Sequence, residues 1–171
     1  MDEFLQIARE YQEAFDDKLM SFISIKSGIT PQALKLLLPS GVVDLLDLYF
    51  NSINSLLFLD PKYETIQSKV YSLVVQIFTH LEADQVFSRK LLNSSITLSR
   101  KTKLILRGAR DIWNLVDVAS DFSYYSRIAS LSVIYGRSLL IFSQGQDWSV
   151  SLKNDFQQLG RVIKFKKQLF S

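Results

Sequence analysis

The sequence predicts an all-α protein of about nine helices, and three observations predict it. Apolar residues recur at helical spacing from one end of the chain to the other. Chain breakers are scarce, with six glycines and three prolines in 171 residues, too few for the many turns of a β-sandwich. Those few breakers fall where helices need to start or stop. A chain of this length ordinarily builds one domain around one core. Residues 1–171 therefore read as a single domain, with 1–50 as a helix-turn-helix part and 51–171 as the helices left for ligand and subunit contacts.

The first helix is expected over about 2–15, on Phe4, Ile7, Ala8, Tyr11 and Phe15. Asp16 or Asp17 can cap a second helix that ends at Gly28. Thr30-Pro31, a cap followed by proline at the first helical position, opens a short third helix to Leu37. Pro39 stops it, and Ser40 is expected to cap a fourth over about 41–58. Asp60-Pro61 repeats the start signal for a fifth, about 61–81, with Tyr63, Ile66, Val70, Leu73, Ile77 and Leu81 on its apolar face. A sixth covers about 84–93, and a seventh runs from near Thr97 to Val118. Asp121 caps an eighth, about 122–143. Gly145 or Gln146-Asp147 breaks the chain before a ninth, about 148–169, striped by Leu152, Phe156, Leu159, Ile163 and Phe170.

The eighth helix is apolar nearly all round. Tyr124, Ile128, Leu131, Tyr135 and Phe142 occupy one side, and the small residues Ala129, Ser132, Gly136 and Ser143 another. Such a helix needs cover on every side: its own domain on one, a second subunit on the other.

Composition narrows the chemistry. There is no Cys and a single His, His80, which removes disulfide frameworks, thiol nucleophiles, thiolate metal sites and any two-histidine metal site. The glycines are scattered singly, so no phosphate-cradling loop exists. Nothing around His80 resembles a nucleophile elbow, and pairs such as Asp16-Asp17 read as caps. The chain is read as a non-enzyme with no cofactor and no metal. Yet 47% of its residues are hydrophobic and its mean hydropathy is +0.10. The longest uncharged runs, between Asp47 and Asp60 and between Lys69 and Glu82, hold 12 residues each, short of the ~18–20 a membrane span requires. The surplus apolar surface has to serve a subunit interface, a ligand cavity or a membrane-facing patch. The acidic start, Met1-Asp2-Glu3-Phe4, is unlike a signal or transit peptide. The expected location is cytoplasmic, peripheral to the inner membrane of a bacterium.

Charge is unevenly spread. Residues 1–64 hold five basic and ten acidic side chains, and residues 65–171 hold 15 basic and 7 acidic. Arg100, Lys103, Arg107 and Arg110 are spaced by three, four and three, so they share one face of the seventh helix. Arg161, Lys164, Lys166 and Lys167 mix with Phe165, Leu169 and Phe170 near the C-terminus. Both groups suit a solvated face, anionic headgroups or an acidic partner.

Residues 17–50 have the cadence of the DNA-binding end of tetracycline-repressor-like regulators: a helix with Leu19, Phe22 and Ile23, the turn Ser27-Gly28-Ile29-Thr30, then a short helix. The chemistry of that short helix does not suit DNA. Base edges need polar side chains and phosphates need cations, and residues 31–38 offer Gln32 and Lys35 only. The acidic balance of residues 1–64 also opposes a polyanion. No nucleic-acid partner is expected from this degenerate module. A ligand-sensing transcription regulator of that fold is the alternative reading.

The string Asp111-Ile112-Trp113, followed by Asp117-Val118-Ala119-Ser120-Asp121-Phe122-Ser123-Tyr124-Tyr125-Ser126-Arg127, resembles the coenzyme Q (ubiquinone) biosynthesis accessory lipid-binding family, protein nine of that pathway. The resemblance extends from the helix-turn-helix to about Lys167. Tyr124 stands where the family commonly has Trp, and the gap between Trp113 and Asp117 is one residue shorter.

The resemblance implies a tetracycline-repressor-like fold that has lost DNA binding, a homodimer, and an apolar cavity for an isoprenoid quinone precursor or other lipid. It also implies a partner, the di-iron demethoxyubiquinone hydroxylase, to which the lipid is presented. By matching positions it assigns Asp121, Phe122, Tyr124, Tyr125 and Arg127 to the partner-contacting surface. Mitochondrial members carry a further amphipathic C-terminal helix that this sequence lacks, so membrane contact is expected to rest on the basic stripes or on the partner. The surplus apolar residues of the fifth, seventh and eighth helices supply the candidates for lining the cavity: Leu73, Ile77, Ile105, Trp113, Leu131 and Tyr135.

Overall fold

Apolar spacing and caps translate directly into helices. The computed structural model describes residues 2–94, 98–116 and 122–169, with the side chains of Asp2, Asp17, Leu98, Phe122, Ser123 and residues 161–169 outside that description. Among the described residues the chain forms nine helices and no strand: α1 (Asp2–Glu10), α2 (Asp17–Ser27), α3 (Pro31–Leu37), α4 (Val42–Asn54), α5 (Ile66–Ala83), α6 (Gln85–Leu92), α7 (Leu98–Val116), α8 (Phe122–Ser143) and α9 (Trp148–Leu169). The all-α expectation holds. The cap expected at Asp121 and the start near Thr97 lie outside the described residues.

Several boundaries differ from expectation, each for a local reason. α1 stops at Glu10, five residues early. Lys90 of α6 donates to the carbonyls of Tyr11 and Gln12 at 2.9 and 2.8 Å, satisfying groups that a longer helix would have used. Tyr11 and Phe15 still enter the core from the connecting segment. Ser40 does not cap α4. Gly41 holds that position at φ 61°, a left-handed backbone that favours glycine, and the Asp44 carboxylate reaches back to accept from the Ser40 N–H at 2.6 Å. α4 ends at Asn54, where the Ser52 and Ser55 hydroxyls donate to carbonyls three residues back and compete with the helical ladder. Asp60-Pro61 does not start α5. The Asp60 carboxylate accepts from the Lys62 N–H at 3.0 Å, closing a turn. Thr65 provides the real start, its hydroxyl accepting from the Ser68 N–H at 3.1 Å. Asp16 caps α2 and Thr30 caps α3, as expected, with Gly28 at φ 70° between them.

The chain gathers into two compact units. The first comprises residues 1–56 and 80–101. Within it α1, α2 and α4 pack together, α3 rests on α2, and α6 lies against α4. Phe87 of α6 is its aromatic centre, edge-on to Phe15 and Tyr49 with centroids 5.5 and 5.1 Å away. The Arg9 guanidinium covers it at 4.9 Å while pairing with Asp84 at 2.6 Å.

The second unit comprises residues 57–79 and 102–171 and holds the string that carries the family resemblance. Its core is built by α5, α7, α8 and α9. Phe78 of α5 stacks on Trp148 of α9 with centroids 4.6 Å apart, and meets Tyr135 and Phe142 of α8 edge-on, each at 6.1 Å. Arg137 of α8 pairs with Asp155 of α9 at 2.7 Å.

Candidate lipid-binding and partner-binding site

The second unit contains all the residues singled out for lipid and partner. Period-3.6 spacing puts Ile128, Leu131, Tyr135 and Phe142 on the buried side of α8, and burial confirms the face. Of the six cavity candidates, Leu73, Ile77, Leu131 and Tyr135 are fully buried, Trp113 is nearly so, and Ile105 is half-buried. Two glycines let α7 and α8 approach closely. A β-carbon on Gly136 would stand 3.1 Å from Cδ1 of Ile105, and one on Gly108 would stand 2.8 Å from Cε1 of Tyr135. Tyr135 therefore links α7, through Gly108, to α5, through Phe78.

These six residues are packed as core. Three clefts among the described residues, of about 600, 640 and 300 Å³, are lined by other side chains. Yet the packed region is not uniformly apolar. The Trp113 indole N–H, the Tyr135 hydroxyl and the Ser138 hydroxyl are buried without a hydrogen-bond partner, a state that costs ~1–3 kcal/mol per group. Burial pushes the Tyr135 pKa up, and the nearby Asp111 charge adds to the shift. Burial likewise raises the Asp111 carboxyl, opposed by Arg107 and Arg110.

The partner-contacting candidates separate into groups. Asp121 and the Phe122 side chain lie outside the described residues. Tyr124 and Arg127 turn toward α7: the Tyr124 hydroxyl donates to Oδ1 of Asn114 at 2.8 Å, and the Arg127 guanidinium stands 5.7 Å over the Trp113 ring. They anchor the first two turns of α8. Tyr125 faces out and is 74% exposed. Sequence reasoning grouped the three as one surface. The anchoring role falls to Tyr124 and Arg127 because they face α7 from the side of α8 nearest it, and neither contact is visible in local spacing.

Among the described residues α8 also carries exposed apolar side chains. Tyr125, Val133 and Leu140 are 74, 72 and 57% exposed and, with the exposed Ala129, fall within less than a quarter of the helix circumference; Gly136, at the same angle, packs on Ile105 of α7. On α7, Arg100, Lys103, Arg107 and Arg110 are all exposed, as the spacing predicted. The side chains of Arg161, Lys164, Lys166 and Lys167 are outside the described residues. On α3, Leu36 and Leu37 are exposed where a DNA-reading helix needs polar groups.

Among the described residues no three His, Asp or Glu side chains stand together as a metal site, and no helix is long and apolar enough to cross a membrane. No curated protein and no solved structure matches the chain. One family model does: COQ9, over residues 98–164. The match spans α7, α8 and most of α9 and includes the Asp111-Ile112-Trp113 and Asp121-to-Arg127 strings; residues 1–50 lie outside it. Over this stretch, 67 of its 171 residues, the chain is similar to the COQ9 family.

Proposed function

We propose that the protein is a non-catalytic lipid carrier of ubiquinone biosynthesis, which holds an isoprenoid quinone precursor and presents it to the demethoxyubiquinone hydroxylase. The observation that carries this reading is the COQ9 match over α7–α9. Two features of the second unit support it. The first is the presence in the second unit of buried, unpartnered hydroxyl and N–H groups on Trp113, Tyr135 and Ser138, with Ser151 Oγ and Asp155 Oδ2 likewise unsatisfied. A quinone ring carries oxygens able to satisfy such donors, and its prenyl tail suits Leu73, Ile77, Ile105 and Leu131. These side chains are packed, so a tail enters only where helices part. Burying it returns ~25 cal/mol per Å² of apolar area.

The second feature is the open stripe of α8. Its Val133–Leu140 part suits a second copy of the chain, giving the homodimer, and Tyr125 at its N-terminal end suits the hydroxylase. Tyr124 and Arg127 then act as positioning residues that fix the turn from which Tyr125 projects. Peripheral contact with the inner membrane belongs to the same reading, because the precursor resides in a bilayer.

Lipid extraction tests the proposal. Protein purified from a quinone-producing host is extracted with organic solvent and the extract analysed by mass spectrometry. A co-purifying prenylated quinone precursor is the expected result, and an extract free of isoprenoid and other lipids overturns it.

A further inference from the structure

The segment between α4 and α5 carries an apolar tip that is exposed among the described residues. Phe58 is 64% exposed, Leu59 39% and Ile66, at the start of α5, 46%. Exposed apolar side chains on a slack loop would mean little. This loop is held. The side-chain amide of Gln76, from the middle of α5, brackets Phe58: its Nε2 donates to the Phe58 carbonyl at 3.0 Å and its Oε1 accepts from the Phe58 N–H at 3.2 Å. A contact to the Ser72 hydroxyl at 3.4 Å fixes the amide from the other side. On the far side of the tip, Lys62 pairs with Asp60 at 2.6 Å and lies 4.9 Å over the Tyr63 ring.

In water the backbone groups of an exposed residue need no such bracket, because solvent satisfies them. In an apolar medium an unsatisfied N–H or C=O costs several kcal/mol. Gln76 removes that cost at Phe58, which is more exposed than Leu59 or Ile66. The flanking residues include types that settle at a membrane–water boundary, an aromatic ring with a polar tip at Tyr63 and cations at Lys62 and Lys69, beside the carboxylates of Asp60, which pairs with Lys62, and Glu64. The unit that carries the loop is basic, with 12 Lys and Arg against 7 Asp and Glu. That balance favours anionic lipid over a neutral or like-charged apolar surface.

We infer that the Phe58–Leu59 tip, bracketed by Gln76, docks the protein on an anionic bilayer by inserting into the headgroup boundary. The inference rests on the reading that the protein works at a membrane and names the surface that touches it. It differs from the basic stripe of α7, which meets headgroups without insertion.

The test uses the full chain carrying Phe58→Trp, with vesicles of phosphatidylcholine and phosphatidylglycerol. The native Trp113 and Trp148 are both more than nine-tenths buried, so the wild-type spectrum serves as the baseline. The expected result is a blue shift of the introduced tryptophan on vesicle addition, with quenching by brominated acyl chains. Phe58→Ser and Gln76→Leu are expected to weaken vesicle partitioning roughly tenfold or more at unchanged helical content. If wild-type protein fails to bind vesicles, the membrane reading itself falls. If it binds while the introduced tryptophan neither shifts nor is quenched, only the tip is overturned, and the α7 stripe becomes the contact. If the emission of that tryptophan shifts with protein concentration in the absence of vesicles, the tip is an interface between copies and the inference is overturned.

Discussion

The Tyr135 ring lies so close over Gly108 that a β-carbon on the glycine would stand 2.8 Å from its Cε1. Gly108 sits inside α7, where Ala is the better helix former by ~1 kcal/mol. The tertiary contact decides otherwise. Tyr135 is fully buried and held on its other side by Phe78, so it has nowhere to retreat. Gly108→Ala is expected to destabilise the fold by ~1–3 kcal/mol, read by urea denaturation. Tyr135→Leu in the same chain should recover part of that loss, because the two changes share one contact and do not add. A stabilised Gly108→Ala protein contradicts the packing.

Tyr49 of α4 and Ser88 of α6 share a buried hydroxyl–hydroxyl bond of 2.6 Å. Burial raises the Tyr49 pKa, and the bond to Ser88 draws it part of the way back. Either single change, Tyr49→Phe or Ser88→Ala, leaves one hydroxyl buried without a partner, at a cost of ~1–3 kcal/mol. The double variant removes both groups and is expected to lose less than the sum of the singles. A double-mutant cycle by chemical denaturation measures the difference; strict additivity would mean that the bond contributes nothing.

Much of this architecture was legible in the sequence because helices declare themselves locally. Asp16 and Thr30-Pro31 carry their own caps, the run from Phe122 to Ser143 carries its own spacing, and those elements stand where expected. The failures share one cause. Lys90 ends α1 from 79 positions away, and Asp60-Pro61 is a start signal that the chain uses for a turn. The lone Gly108 in a helical run was the available sign of a close approach, but only packing names Tyr135 as the neighbour. Likewise the sequence places Tyr124, Tyr125 and Arg127 together, and only the fold turns two of them toward α7 and one outward.

The Asp111 carboxyl carries a pH signature. Its burial raises the pKa in the folded chain, and Arg107 and Arg110 oppose the rise. A carboxyl with a raised folded pKa binds its proton more tightly when folded. Its contribution to stability is fully present below the ordinary Asp value of ~3.9 and is lost as pH climbs through the folded value. Asp111→Asn is therefore expected to be more stable than wild type at neutral pH, with the gap closing as pH falls toward ~4. Arg107→Gln should push the carboxyl further up, visible in an NMR titration. A gap that is independent of pH would show that the charge of Asp111 is not what burial penalises.

Tyr125 is the residue on which the proposed partner surface is tested. It is 74% exposed, and among the described residues its ring meets the edge of Tyr124, centroids 5.7 Å apart, so Tyr125→Ala should leave stability within ~0.5 kcal/mol of wild type. An exposed aromatic that anchors a partner typically costs ~2 kcal/mol or more when truncated, about thirtyfold in affinity. Titration of the hydroxylase is expected to show that loss for Tyr125→Ala. Tyr124→Phe keeps the ring but removes the bond to Asn114. It should lower affinity less, and through the positioning of α8, so its loss should shrink when the first turn of α8 is restrained by other means, such as an engineered disulfide to α7. Equal affinity for wild type and Tyr125→Ala would remove Tyr125 from the interface. The open α8 stripe of Val133 and Leu140 would then remain as a contact between copies of the chain alone, and Val133→Glu, placing a charge in that face, should yield a monomer by sedimentation.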